Sequence, residues 1–252
     1  MVQAPPRPAL SGPTLVRLLA RLTDADVAES RQTLSDRLSQ WLGWTDAITL
    51  SSALNANPPA VAAGVRGYDA ERDSARVRHD LAQAITGALR PRTRRRAGEM
   101  PPPPADTADF ADFRQQCLSL QQEMETAIGQ LRARLRIALA ARSSALARLA
   151  TLDAIMERVL GARERSLLGA VPALLGTHFE RLRDAERQAL ADAQAAADAD
   201  AAPDAPSPAP VTPVVPGTWL DTFRDEMQSI LLAELEVRFQ TVDGLLAALR
   251  TS

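Results

Sequence analysis

The chain has 252 residues, a formal net charge of −2, and 29 basic residues of which none is lysine. Without lysine there is no P-loop or kinase phosphate lysine, no Schiff-base or pyridoxal-phosphate chemistry and no Ser-x-x-Lys nucleophile. One cysteine and two histidines fall short of the four Cys/His ligands of a structural zinc site and allow no disulfide within the chain. The near-neutral charge gives no global pull toward nucleic acid or anionic membrane.

The first ten residues hold Pro5, Pro6 and Pro8 and no apolar run of signal-peptide length. The longest uncharged apolar stretch, Ser166 to Phe179, contains Pro172 and is shorter than the roughly 20 residues of a membrane helix. A cytoplasmic location without a transmembrane segment is the expectation.

Residues 1–89 read as a small helical bundle. Ser11-Gly12-Pro13 offers a cap and a first-turn proline, after which Leu15, Leu18, Leu19 and Leu22 share one face. Ser30 is placed to cap a second helix carrying Leu34, Leu38, Trp41 and Leu42, with Gly43 ending it. A short helix over 46–54 follows. A fourth, over 69–89, sets Val77, Leu81, Ile85 and Leu89 at four-residue steps.

Residues 90–105 run from an arginine cluster into Pro101-Pro102-Pro103-Pro104 and read as a linker, because each ring fixes φ and removes a donor. In the region 106–194 the apolar positions Phe110, Phe113, Cys117, Leu120, Met124, Ile128, Leu131, Leu135 and Leu139 repeat every three or four residues. This is the spacing of a long amphipathic helix with coiled-coil character. Leu146, Leu149, Leu152, Met156 and Val159 carry the stripe on, and an unbroken helix over 105–160 would be roughly 80 Å long at 1.5 Å per residue. Such a stripe must meet another helix. An antiparallel hairpin is expected, with Gly161, Gly169, Pro172 and Gly176 as the places where the chain bends or reverses. Acidic residues crowd the first part of the helix, and Arg132, Arg134, Arg136, Arg142 and Arg148 follow, which favours an antiparallel partner unless the face is simply solvated. An Ala/Asp/Pro-rich linker over 195–217 precedes an amphipathic C-terminal helix over 218–252 that packs on the hairpin. The two valine-rich windows, 61–65 and 211–215, contain or adjoin Pro or Gly, so no sheet is expected and the fold class is all-α.

Little here points to catalysis. His79 and His178 are far apart in sequence with no flanking cysteine. Cys117 occupies a core position of the stripe, where it reads as a small hydrophobe. Asp106, Asp109 and Asp112 share a helical face and suit the positive end of the helix better than a cation. No catalytic residue, metal or cofactor is assigned. Two features are candidate contact sites. Arg90, Arg92, Arg94, Arg95 and Arg96 concentrate positive charge suited to phosphates or an acidic surface, without interleaved aromatics for base stacking. Trp41-Leu42-Gly43-Trp44 holds two of the three tryptophans; Trp41 fits the helix stripe, and Trp44 is either core or an exposed anchor for another protein.

The stretches Ser11 to Leu22, Asp36 to Ala47 and Phe239 to Arg250 resemble an uncharacterised family of proteobacteria, typical of Burkholderia-like organisms. The family has no assigned activity, so the resemblance supplies no site residues. It implies gene neighbours encoding OmpA-like and coiled-coil envelope proteins, and hence a cytoplasmic accessory of a membrane-spanning assembly. The resulting expectation is a non-enzymatic interaction or scaffolding protein that binds another protein or itself through helices. A nucleic-acid-associated protein using Arg90 to Arg96 is the alternative.

Overall fold

A computed structural model describes residues 13–23, 33–56, 68–90, 107–200 and 215–251. They form eight helices: α1 Thr14–Thr23, α2 Leu34–Trp41, α3 Trp44–Asn55, α4 Ala70–Leu89, α5 Phe110–Ala140, α6 Ser144–Leu168, α7 Val171–Asp200 and α8 Thr218–Arg250. Among the described residues there is no strand. Ser11, Ser30, the window 61–65, residues 211–214, Arg92, Arg94, Arg95, Arg96, the proline run 101–104 and Asp106 lie outside the described residues, as do the side chains of Leu34 and Leu38.

The helix ends follow from short polar side chains that take up first-turn N–H groups. Asp69 accepts from Arg72 N at 3.0 Å, Asp109 from Ala111 N at 2.9 Å and Ser143 from Leu146 N at 3.3 Å. Thr33 and Asp36 form a reciprocal box at the start of α2, at 3.1 and 3.0 Å. Helix α8 has no such residue of its own. Its start is capped from α7, where the buried Glu186 carboxylate accepts from Gly217 N at 2.8 Å, Thr218 Oγ1 at 3.1 Å and Trp219 N at 3.3 Å. Gly217 sits there at φ 92°, a conformation that glycine adopts without steric cost.

Cross-helix pairs give the directions. Arg132 meets Asp153 at 2.8 Å, Arg136 meets Glu157 at 2.7 Å and Arg165 meets Glu125 at 3.1 Å, so α5 and α6 run antiparallel. The segregated charges of the long stripe are thus used within the chain. The reversal lies at 141–143, where Ser143 starts a new helix, and not near Gly161 to Gly176; the single helix over 105–160 is two. At Gly169 the chain only kinks. Residues 113 and 179 also meet across α5 and α7, so α7 continues the direction of α6. Pro172 falls in the first turn of α7, where a missing N–H is tolerated. It would leave Leu168 O, four residues back, without its helical donor; Gln121 Nε2 donates to that carbonyl at 3.1 Å instead.

Helix α8 runs antiparallel to α6–α7, through Glu164–Arg238 and Glu226–His178, and parallel to α5. Helix α4 completes the bundle, antiparallel to α8 through Arg78–Asp243 at 2.7 Å and to α5 through Gln116 Nε2 to Ala88 O at 2.7 Å. The stripe from Cys117 to Leu139 is buried at every predicted position, and faces Leu81, Ile85 and Leu89 of α4 and Phe223 to Leu246 of α8 in one continuous core. Phe110, Phe113, Phe179, Phe223 and Trp219 gather at one end of it. The second stripe is only half-buried. Helix α6 is most buried at Ala147, Ala150, Asp153, Ile155 and Leu168, because its contact with α5 is made partly by ion pairs. The N-terminal helices find their main neighbours among later helices rather than in a bundle of their own: α1 lies over α7 and α8, α3 over α6, and α4 between α5 and α8.

Candidate functional site

The Trp41-to-Trp44 turn joins α2 to α3. Helix α2 stops at Trp41 and Gly43 begins α3, its N–H donating to Asp46 Oδ2 at 3.2 Å. Two contacts seat this pair on α6. The Arg163 guanidinium lies 5.6 Å from the Trp41 ring centroid, and Arg148 Nη1 donates to Leu54 O at 3.3 Å. Residues 41 and 54 therefore match 163 and 148, and α3 is antiparallel to α6. Ala53 faces inward and is buried.

The opposite face of α3 is open. Trp44 is 83% exposed and Ile48, one turn on, 51%, with Leu54 exposed beyond them. Trp44 is thus on the surface, not in the core. By the same antiparallel register Arg158, exposed on α6, is level with Trp44, and has no carboxylate partner among the described residues. The acids around it are engaged elsewhere: Asp46 with Gly43, Glu157 with Arg132 and Arg136, Glu164 with Arg238. Arg148, Arg158 and Arg163 of α6 are thus spaced along the length of α3.

Of the arginine cluster only Arg90 is described, exposed at the end of α4. His79 is exposed on α4, whereas His178 is buried on α7, so the two histidines do not share a site. Asp109 caps α5, and Asp112 lies in its first turn. Cys117 is buried, and burial together with the nearby Glu234 carboxylate pushes its thiol up to about 12. Its reaction with dithiobis(nitrobenzoate) at pH 8 is expected to be negligible in the folded chain and complete in 6 M guanidinium; stopped-flow absorbance reads both.

Buried carboxylates with their donors were not anticipated, among them Asp73 and Glu234. Asp73 on α4 accepts from Tyr68 Oη at 3.0 Å, Arg76 Nη2 at 2.6 Å and Arg134 Nε at 2.7 Å. Burial opposes ionisation, but the hydrogen bonds from Arg134, Arg76 and Tyr68 outweigh it and hold the carboxyl below the usual range. A depressed carboxyl stabilises the fold above its unfolded pKa, near 3.9, and loses that contribution as pH falls through the lower folded value. Asp73→Asn is expected to cost about 1–3 kcal/mol at pH 7 and progressively less below pH 4, measured by urea unfolding at both values. Glu234 on α8 is fully buried, with Arg238 Nη2 at 2.8 Å and Gln121 Nε2 at 2.9 Å. Both acids stand in core register, Asp73 four residues before Val77 and Glu234 four after Ile230, which was the available clue.

Among the described residues no group of three or more His, Cys, Asp and Glu is arranged to hold a metal ion, and no helix is long and apolar enough to cross a membrane. Fold and surface define an all-helical bundle whose most unusual exposed feature is a tryptophan-bearing helix face. The chain belongs to a family described as proteins of unknown function, DUF3348, whose model matches residues 1–251. No curated protein and no solved structure matches it.

Proposed function

We propose that this is a non-enzymatic helical interaction protein, a scaffold or adaptor that holds another protein on the open face of α3. One observation carries the reading: Trp44 is 83% exposed on an ordered helix whose other side is committed to α6. An indole left in water forgoes a large burial term, and aromatic side chains are the commonest anchors at the centre of interfaces. Arg148, Arg158 and Arg163 on the neighbouring α6 favour a partner segment that carries acidic groups beside its apolar contact. A cytoplasmic accessory role beside an envelope assembly fits the family resemblance.

Cross-linking and affinity recovery with the native chain and with Trp44→Ala test this directly. The expected result is loss of at least about tenfold of the specifically recovered partner in Trp44→Ala, as for a hot-spot tryptophan; equal recovery rejects the surface. The alternative, nucleic-acid association through Arg90 to Arg96, predicts binding to duplex DNA or RNA that collapses between about 50 and 200 mM salt and is indifferent to Trp44.

A further inference from the structure

Helix α1 is short and amphipathic, and among the described residues it is held to the bundle by Leu15, Ala20 and Leu22 and by a polar clasp at its C-terminal end. There Arg181 Nη2 donates to Leu22 O at 2.7 Å. The same nitrogen is 2.9 Å from His178 Nδ1, and the other ring nitrogen, Nε2, meets the Glu226 carboxylate of α8. His178 is only 5% exposed.

The protons follow from the donors. A guanidinium only donates, so Nδ1 must offer its lone pair, and the hydrogen on Nε2 goes to Glu226. The imidazole in this arrangement is neutral. Adding a proton at Nδ1 removes the acceptor that positions Arg181 and sets a cation against it at contact distance. Among the described residues, Glu226 on α8 and Arg181 on α7 are the charged groups in contact with the ring; α1 presents the Leu22 carbonyl to Arg181, and Phe223 of α8 contributes an uncharged ring 6.4 Å away. Glu226 welcomes the imidazolium, so Arg181 is the partner that yields.

We propose that His178 is a proton-operated latch on α1: neutral, it holds Arg181 against the end of the helix; protonated, it releases Arg181 and loosens α1 from the surface of α7 and α8. Histidine is the side chain whose charge changes in the range where a cell-scale acidification acts. Loosening is local, because α4, α5, α6 and α8 keep their own core.

Hydrogen–deuterium exchange of the full chain at pH 5.5 and 7.5, corrected for intrinsic chemistry and read on peptides covering 14–23 with α4 peptides as the internal standard, tests the latch. The expected result is an opening of α1 at least about tenfold more frequent at pH 5.5, with α4 unchanged. His178→Asn, which keeps an acceptor near the Nδ1 position but cannot titrate, should remove the pH dependence, and His79→Asn should leave it intact. Arg181→Gln should open α1 equally at both pH values, which keeps the test decisive if the histidine variant folds poorly. Opening of α1 that is flat with pH in the native chain, or pH dependence that survives in His178→Asn, overturns the proposal.

Discussion

Truncating Phe223 to alanine is expected to destabilise the protein by about 3–5 kcal/mol, the range for emptying a fully buried aromatic site. Phe223 has no exposed surface. Its ring meets Phe179 of α7 at 5.0 Å and Phe113 of α5 at 5.2 Å, both edge-on, and Phe110 at 6.4 Å. Edge-to-face pairs add about 0.5–1.5 kcal/mol beyond area burial. The cavity would open where three long helices meet. Its walls are themselves aromatic and stiff: Phe179 is braced by Trp219 at 4.8 Å, and Phe110 lies against Gly176, where a Cβ would come within 2.8 Å of the ring. Collapse around the void is therefore poor, which argues for the upper half of the range. Phe223→Leu, which keeps most of the volume, should cost about half as much or less. Urea unfolding followed by circular dichroism gives both numbers; a loss under about 1 kcal/mol for the alanine variant would mean that α8 is not seated on α5 and α7 as described.

Glu234→Ala should cost a similar amount, about 3–5 kcal/mol, for an electrostatic reason. The carboxylate has no exposed surface and is the partner of Arg238, whose side chain is itself nearly buried, and of Gln121. Removing it leaves a nearly buried guanidinium with Glu164 at 3.3 Å as its only remaining carboxylate among the described residues. It also frees Gln121, which serves the Leu168 carbonyl exposed by the kink. The cost is that of the group left behind, not the worth of the pair. Glu234→Leu combined with Arg238→Met removes both charges and should recover most of the lost stability. A double-mutant cycle on these positions should return a coupling of about 1–3 kcal/mol; additive losses would show that Glu234 and Arg238 act independently.

The sites differ in how far they could be foreseen. The Trp41–Trp44 pair was visible as an oddity of composition, but α3 carries apolar residues around much of its circumference, with Trp44, Ile48, Leu50, Ala53 and Leu54 all present. Its periodicity could not say which side meets α6. Small Ala53 won the inward position and the larger Trp44 was left out. The polar clusters were hidden for the opposite reason: a carboxylate in core register looks like an interruption until its arginine is known, and Arg134 is 61 residues from Asp73.

Residue pattern alone determined the all-helical class, the presence of long amphipathic helices in the middle and C-terminal parts of the chain and the buried stripe from Cys117 to Leu139. All of these are settled within a turn or two of chain, by hydrogen bonds and side-chain spacing over three or four residues. Where the chain reverses, which carboxylate each arginine meets, whether Trp44 faces in or out, and that Glu186 caps a helix 31 residues away were decided only by tertiary structure. Those outcomes depend on which surfaces compete for burial and on charges that become neighbours only after the helices have packed, and no local pattern carries that information.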